Sequence, residues 1–386
     1  TNLASLDLEE NQLSALPSEI VQLKNLTSLV LGRNENVNFV DAFSKLSTLP
    51  NLTSLDLGIN QLNALPPEIG QLTNLKSLDL KENQLSALPP EIGQLTNLTS
   101  LHLRENQLSA LPPEIGQLTN VTSLDLSWNK LSALPPEIGQ LTNLTELDMY
   151  GNDSLNIASL CNSFKKYPKE IHIATDKNAS TDDNSKLLII IPKQKELPPE
   201  IGQLTNLASL ELSGNKLSAL PPEIGQLTNV TSLDLGYNYL SALPLEIGQL
   251  TNLTSLDLGY NDLSALPPEI GQLTKLTGLN LTSNKLKELP EKYWSLTKLK
   301  SVAIGGNTIA DITGIEKLTD VEEIYLWGNP ITEIPIEIAA FKNLRVLYLQ
   351  DLKLDKQKFT EFLKSCTKPV QLKKKKKNGY NEDNTH

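Results

Sequence analysis

Cysteine is almost missing from this chain: Cys161 and Cys366 are the only two in 386 residues. They stand far apart and lack metal-ligand spacing, which argues against a disulfide framework and a zinc site and leaves two buried or idle thiols. Aromatic residues are scarce as well, at 5%, so a core must be mostly aliphatic. Positive charge is in deficit, with a formal net charge of -11. Phosphate binding needs a basic face, so nucleic acid is disfavoured as the main partner and a protein with a basic or mixed-charge surface is favoured. No run of about 18 apolar residues occurs, so no membrane-spanning helix is expected. Catalytic signatures are absent too: there is no GxxxxGK[ST], no kinase catalytic loop and no GxSxG. His102, His172 and His386 have no metal-type companions, and no Ser/His/acid set can be assigned. A non-catalytic chain without a cofactor is the expectation.

What the sequence has is repetition. The phrase LPPEIGQLTNLTSLDLGYNxLSA recurs with small changes, anchored by Asn11, Asn34, Asn60, Asn83, Asn106, Asn129 and Asn152, then by Asn215, Asn238, Asn261, Asn284, Asn307 and Asn329. Most steps are 23 residues; Asn34 to Asn60 is 26 and Asn307 to Asn329 is 22. In Leu75-x-x-Leu78-x-Leu80 the last two leucines point to one side of a short strand. Asn83 then ends the strand, where its amide can satisfy the turn and stacked copies can bond to one another. Leu85, Leu88, Ile92 and Leu95 return to the core. Pro89-Pro90 can start a helical segment, Glu91 sits near its positive end, and Gly93 allows a tight turn. One such unit cannot bury its leucines alone; stacked neighbours must do it.

This LxxLxLxxNxL core and period resemble the leucine-rich repeat. The LPPEIGxLxxL style is similar to the Ras-suppressor type and to the repeats preceding the GTPase in Roco proteins, and is found in bacterial leucine-rich-repeat proteins. One coil, marked by Ile309, Ile312, Ile315, Leu318 and Val321, resembles the 22-residue internalin-type unit. The resemblance implies an α/β solenoid, a horseshoe with a concave parallel sheet, short 3-10 or helical convex segments and a helical C-terminal cap. It also implies a surface for protein–protein interaction. Two alternatives stay open: a sensory segment of a larger signalling enzyme, GTPase or kinase, and an extracellular receptor for glycan or peptide.

A single repeat domain over 1–372 is expected, with an irregular insertion at 153–195 where the anchors fall out of step. There Ile157 to Tyr167 reads as a helix. Ile171 and Ile173 fit a degenerate strand with Asp176 at the Asn position, and Lys177 to Ser185 is a polar, turn-rich loop. Leu187 and Ile189 resume the core. The cap, 353–372, contains a helix from Asp355 to Ser365 with Phe359, Phe362 and Leu363 inward. A disordered lysine-rich tail, 373–386, follows. Thr1 opens in mid-repeat, so the start looks cut; a monomeric, cytoplasmic protein is the expectation.

Strand residues between the leucines face the concave side. One column is serine, from Ser54 to Ser255. The next is acidic: Asp56, Asp79, Asp125, Asp148, Glu211, Asp234 and Asp257, interrupted by His102. Such a ladder favours a basic partner, although duplication alone also copies Asp. Departures from the repeat are more informative. Tyr150, Tyr325, Trp327 and Tyr348 fall at concave positions, and Trp128, Tyr237 and Tyr260 one place later, on the rim. Exposed aromatic anchors are typical of binding hot spots. Arg104 and Glu105, with Lys81 and Glu82, add a mixed-charge patch near His102. Tyr293, in place of a core Ile, reads as packing; Trp294, in place of Gly, has no assigned role.

Overall fold

A computed structural model describes residues 2–179, 186–366 and 371–373. The chain divides into two compact units, Thr1–Lys193 with Pro198–Glu211, and Gln194–Leu197 with Leu212 onward. Each is built of the same coil: a short strand, a turn, and a return segment that is usually a single 3-10 turn.

In the first unit the strands are β1 (Ser5–Asp7), β2 (Ser28–Val30), β3 (Ser54–Asp56), β4 (Ser77–Asp79), β5 (Ser100–His102), β6 (Ser123–Asp125), β7 (Glu146–Asp148), β8 (Glu170–Ala174), β9 (Lys186–Ile190) and β10 (Leu207–Glu211). The second unit carries β11 (Ser232–Asp234), β12 (Ser255–Asp257), β13 (Gly278–Asn280), β14 (Ser301–Ala303), β15 (Glu323–Tyr325), β16 (Val346–Tyr348) and β17 (Gln371–Lys373). The pairings within each unit are parallel, and all but β8–β10, whose register shifts between Leu207 and Ser209, run in step, so Ser77 lies beside Ser100 and Asp125 beside Asp148. From β2 to β7 the middle residue of each triplet, such as Leu78 or Leu101, points into the core and is buried, whereas Leu6 in β1 is half-buried.

The anchor asparagines tie each coil to the one before it. Asn129 is buried; its Nδ2 donates to the carbonyls of Leu103 (2.9 Å), Leu126 (3.0 Å) and Ser127 (3.2 Å), and its Oδ1 accepts from the Leu108 N–H at 3.0 Å. The side chains therefore bond backbone rather than each other. In two coils an anchor's own N–H does reach the next anchor: Asn34 N donates to Asn60 Oδ1 (2.6 Å) and Asn60 N to Asn83 Oδ1 (3.0 Å). The four hydrogen bonds at Asn129 explain the choice of Asn there, since both a donor and an acceptor must be satisfied away from water.

On the return side, Pro90–Gln94 forms a 3-10 turn that begins at proline, where the missing N–H is harmless, and buries Ile92. Gly93 is held to glycine by its neighbour: a Cβ there would meet the Glu114 carbonyl of the next coil at 2.7 Å. Trp294 stands at the equivalent position yet is buried. The next coil makes room for it, because its 3-10 turn is only Ile315–Lys317 and Gly314 (φ +109°) lies where a Cβ would strike the indole at 2.4 Å. Tyr293 is fully buried beside it, as packing.

Three helices replace 3-10 turns or end the array. The 26-residue step holds α1 (Phe39–Leu46), which the anchor spacing alone did not reveal; Asn38 caps it and Phe39, Ala42, Phe43 and Leu46 are buried. The insertion begins with α2 (Ile157–Phe164), capped by Asn156 and somewhat shorter than its expected reach to Tyr167. In α3 (Lys356–Ser365) Asp355 caps Lys358 N at 2.9 Å, and Phe362 is buried. Leu363 is not inward: it is 44% exposed. Past α3, β17 adds a further strand to β16. The loop at 180–185 and the tail at 374–386 lie outside the described residues.

The insertion holds the main departure from sequential order. β7 pairs with β9, β9 with β8, and β8 with β10, so β8 and β9 exchange places. Ordinary coils step forward while crossing on the core side. A right-handed connection that steps backward must cross on the opposite face of the sheet. Ala179, on the connection from β8 to β9, lies there, packed with Tyr150 against Ala174, Leu188 and Ile190.

Candidate functional site

The sheet face away from the core presents two residues per strand, and register sorts them into columns. In the first unit the acidic column runs Asp56, Asp79, His102, Asp125 and Asp148. Ile190 and Ala174 then stand between Asp148 and Glu211, because of the exchanged strands. The ladder is therefore broken by an apolar patch as well as by His102. In the second unit Asp234 and Asp257 are followed by Asn280, Ala303, Tyr325 and Tyr348.

Each aspartate has a local task. Its Oδ1 accepts from the N–H two residues on, closing the strand end: Asp79 from Lys81 (2.9 Å), Asp125 from Ser127 (2.9 Å), Asp148 from Tyr150 (2.8 Å), Asp234 from Gly236 (2.9 Å) and Asp257 from Gly259 (2.8 Å). Asn280 makes the same bond to Thr282 at 3.0 Å, so the turn needs an acceptor and not a charge. Asp79 is also paired with Lys81 Nζ at 3.1 Å, and Asp257 with Asn280 Nδ2 at 3.1 Å. Arg104 binds its neighbour Glu105 at 2.9 Å, and His102 Nε2 lies 2.6 Å from Ser100 Oγ. Asp148 differs from the rest of the column. Burial pushes its carboxyl up to about 6, with Asp125 and Glu146 adding to the rise while the Tyr150 N–H and Arg104 oppose it.

The aromatic candidates come together in pairs. Trp128 and Tyr150 meet edge to face with ring centres 5.5 Å apart. Tyr237 and Tyr260 stack at 4.3 Å, as do Tyr325 and Tyr348, because each pair occupies the same place on adjacent strands. The Tyr325 hydroxyl donates to Glu323. Trp327 lies over the backbone of Gly305, where a Cβ would be 2.3 Å from its Nε1. Trp128, Tyr237 and Tyr260 are 46%, 45% and 42% exposed. All three sit in left-handed backbone, at φ of +54°, +53° and +55°, a position filled in other coils by Gly151, Gly214, Gly306 and Gly328 and equally by Glu10, Arg33, Ile59, Glu82, Glu105 and Ser283.

Two features escaped the sequence reading. Tyr239, 57% exposed beside Tyr237, follows its anchor Asn at a position usually polar. The apolar patch of Leu188 and Ile190 was signalled by the run Leu187–Ile191, whose lack of alternation marks a strand covered on both faces. Cys161 is buried in α2, its thiol pushed up to about 12 by burial, and Cys366 is free and half-buried. Among the described residues no cluster of His, Cys, Asp and Glu is arranged for a metal, and no helix is long and apolar enough to cross a membrane.

The profile described as leucine rich repeat matches residues 50–95, 96–153 and 205–263, and that described as leucine-rich repeat region matches 246–378. Comparison with curated proteins finds no match. Among solved structures, a leucine-rich-repeat protein of Leptospira interrogans is 34% identical over 96% of each chain, with a TM-score of 0.65. An internalin of Listeria monocytogenes is 22% identical, over 93% of this chain and 88% of its own, with a TM-score of 0.52. A structure of the Toll–Spatzle complex of Drosophila matches at 21% identity, over 88% of this chain and 50% of its own, with a TM-score of 0.66. The last two share the fold.

Proposed function

The chain belongs to the leucine-rich-repeat family, and from that premise we propose a non-catalytic module that binds a protein partner, one with a basic surface, on the open and expectedly concave face of its sheet. Protein binding is typical of the family; the choice of face and of charge is argued from this chain. The observation that carries it is the placement of Trp128, Tyr237 and Tyr260: large rings left 42–46% exposed at one position of the coil, in a chain poor in aromatics. The rings pair between adjacent coils, Trp128 with Tyr150 and Tyr237 with Tyr260, yet keep nearly half of their surface open to a partner. Exposed aromatic rings grouped on one rim are the usual anchors of protein interfaces. Acidic columns beside them supply attraction for a basic surface, and the formal net charge of -11 argues against nucleic acid.

The LPPEIGxLxxL phrase supports the Ras-suppressor-like subtype, and two unbridged cysteines suit a reducing, cytoplasmic setting. The reading takes the protein as a monomer. Affinity capture from the source cells tests it, comparing wild type with D125K/D148K, with Y325A/W327A and with W128G/Y237G/Y260G. The expected outcome is a common protein captured by wild type and depleted at least tenfold with each folded variant. Undiminished capture by all three rejects this face.

A further inference from the structure

We propose that Trp128, Tyr150, Asp125 and Asp148 form a receptor for a single arginine side chain of the partner, an inference that rests on the open-face binding reading above. The strands β6 and β7 place the two carboxylates side by side in register, about 4.8 Å apart along the sheet. One oxygen of each is committed to its own strand end: Asp125 Oδ1 to Ser127 and Asp148 Oδ1 to Tyr150. The Oδ2 atoms have no hydrogen-bond partner among the described residues. Directly beyond them the chain raises two aromatic walls. The Trp128 N–H donates to the Tyr150 carbonyl at 2.7 Å, and the rings meet at 69° with centres 5.5 Å apart.

Both walls are held from behind. Tyr150 packs on the patch of Ala174, Leu188 and Ile190. Trp128 lies over Gly151, where a Cβ would come within 2.9 Å of the indole. The cation nearest in the sequence of strands, Arg104, is bound through Nε and Nη2 to Glu105, at 3.0 and 2.9 Å, and so is already paired. The corner thus joins two carboxylates with open acceptors to an exposed indole and a half-buried phenol ring, and among the described residues no cation is in hydrogen-bond contact with either carboxylate.

A guanidinium fits this set better than an ammonium. It is planar and stacks on an indole, and its fork of five N–H donors can serve carboxylates on neighbouring strands. The other aromatic pairs lack the combination. Tyr325 and Tyr348 stack on each other and the Tyr325 hydroxyl engages Glu323, while the Asp257 carboxylate beside Tyr260 is held by Asn280.

The test is a titration of the folded full chain with N-acetyl-arginine amide, following the indole N–H resonances, with Trp128 assigned through W128F. The neutral isostere N-acetyl-citrulline amide is the control. A saturable shift confined to the Trp128 indole is expected, with a dissociation constant on the order of 1–10 mM, no saturable shift with citrulline, and at least fivefold weaker binding in D125N and D148N. Both variants retain the acceptor that closes the strand, as Asn280 does, and unmoved Trp294 and Trp327 resonances report an intact fold. Equal shifts with citrulline, or unchanged titration in D125N and D148N, overturn the proposal. If the titration fails while D125K/D148K still loses the captured partner, the arginine receptor is wrong and the binding face stands. Capture that survives in all the open-face variants removes the face itself.

Discussion

At the scale of single residues, Asp148 shows a conflict between folding and binding. Its carboxyl is raised to about 6 by burial, beside Asp125 and Glu146 on the sheet and the apolar Ile190 on β9, with the Tyr150 N–H and Arg104 opposing. An acid raised in the folded state is stabilising only while protonated. Its ionisation weakens the fold above pH 6, and the penalty disappears as pH falls toward the unfolded value near 3.8. D148N keeps the bond from the Tyr150 N–H and removes the charge. It is therefore expected to exceed wild type in stability by about 1–2 kcal/mol at pH 7, allowing for partial solvent screening, with no difference near pH 4. Urea denaturation at both pH values measures this. The acids and aromatics were legible in the sequence as columns and as departures from the repeat. The left-handed backbone under Trp128, Tyr237 and Tyr260 was not, because side-chain identity does not reveal the sign of φ.

At the scale of the element, the anchor asparagine shows how context sets the energy of one residue type. Asn129 makes four hydrogen bonds away from water, whereas Asn11, in the first coil, is exposed and donates to the Glu9 carbonyl alone. Asn129→Ala is expected to cost about 2–4 kcal/mol and Asn11→Ala less than about 0.5 kcal/mol, compared by thermal or denaturant unfolding. Equal losses would mean that the amide acts through the turn alone and not by joining coils. Strands and 3-10 turns were legible because LxxLxL and LPPEIG mark their ends. The helix α1 stayed hidden inside a long step, although Asn38 followed by Phe39, Ala42, Phe43 and Leu46 carries a cap and a helical period. The order of β8 and β9 could not be read at all. Either strand satisfies the same alternation in either place, and only the side on which their connection crosses decides between them.

For the whole molecule, a single repeat domain over 1–372 remains our proposal, and the interchangeability of its regular coils offers a test. Residues 84–106 make one complete coil, flanked by Ser-Leu-Asp on β4 and β6. Deleting those 23 residues joins like to like, since the neighbours share register and core leucines. The shortened chain is expected to fold and to unfold, like wild type, in one calorimetric transition. Two transitions in wild type would instead make the units separate domains.

Such interchangeability has a hazard, which the exchanged strands answer. A nascent chain of near-copies can pair a coil with the wrong copy, one step out, and lose almost nothing in contacts. Among the described residues of the first unit nothing else repeats the β7–β9–β8–β10 arrangement, so a mis-stepped array has no second place to dock it. On that ground the backward step is a landmark from which coils can be counted, whatever the length of the run before it.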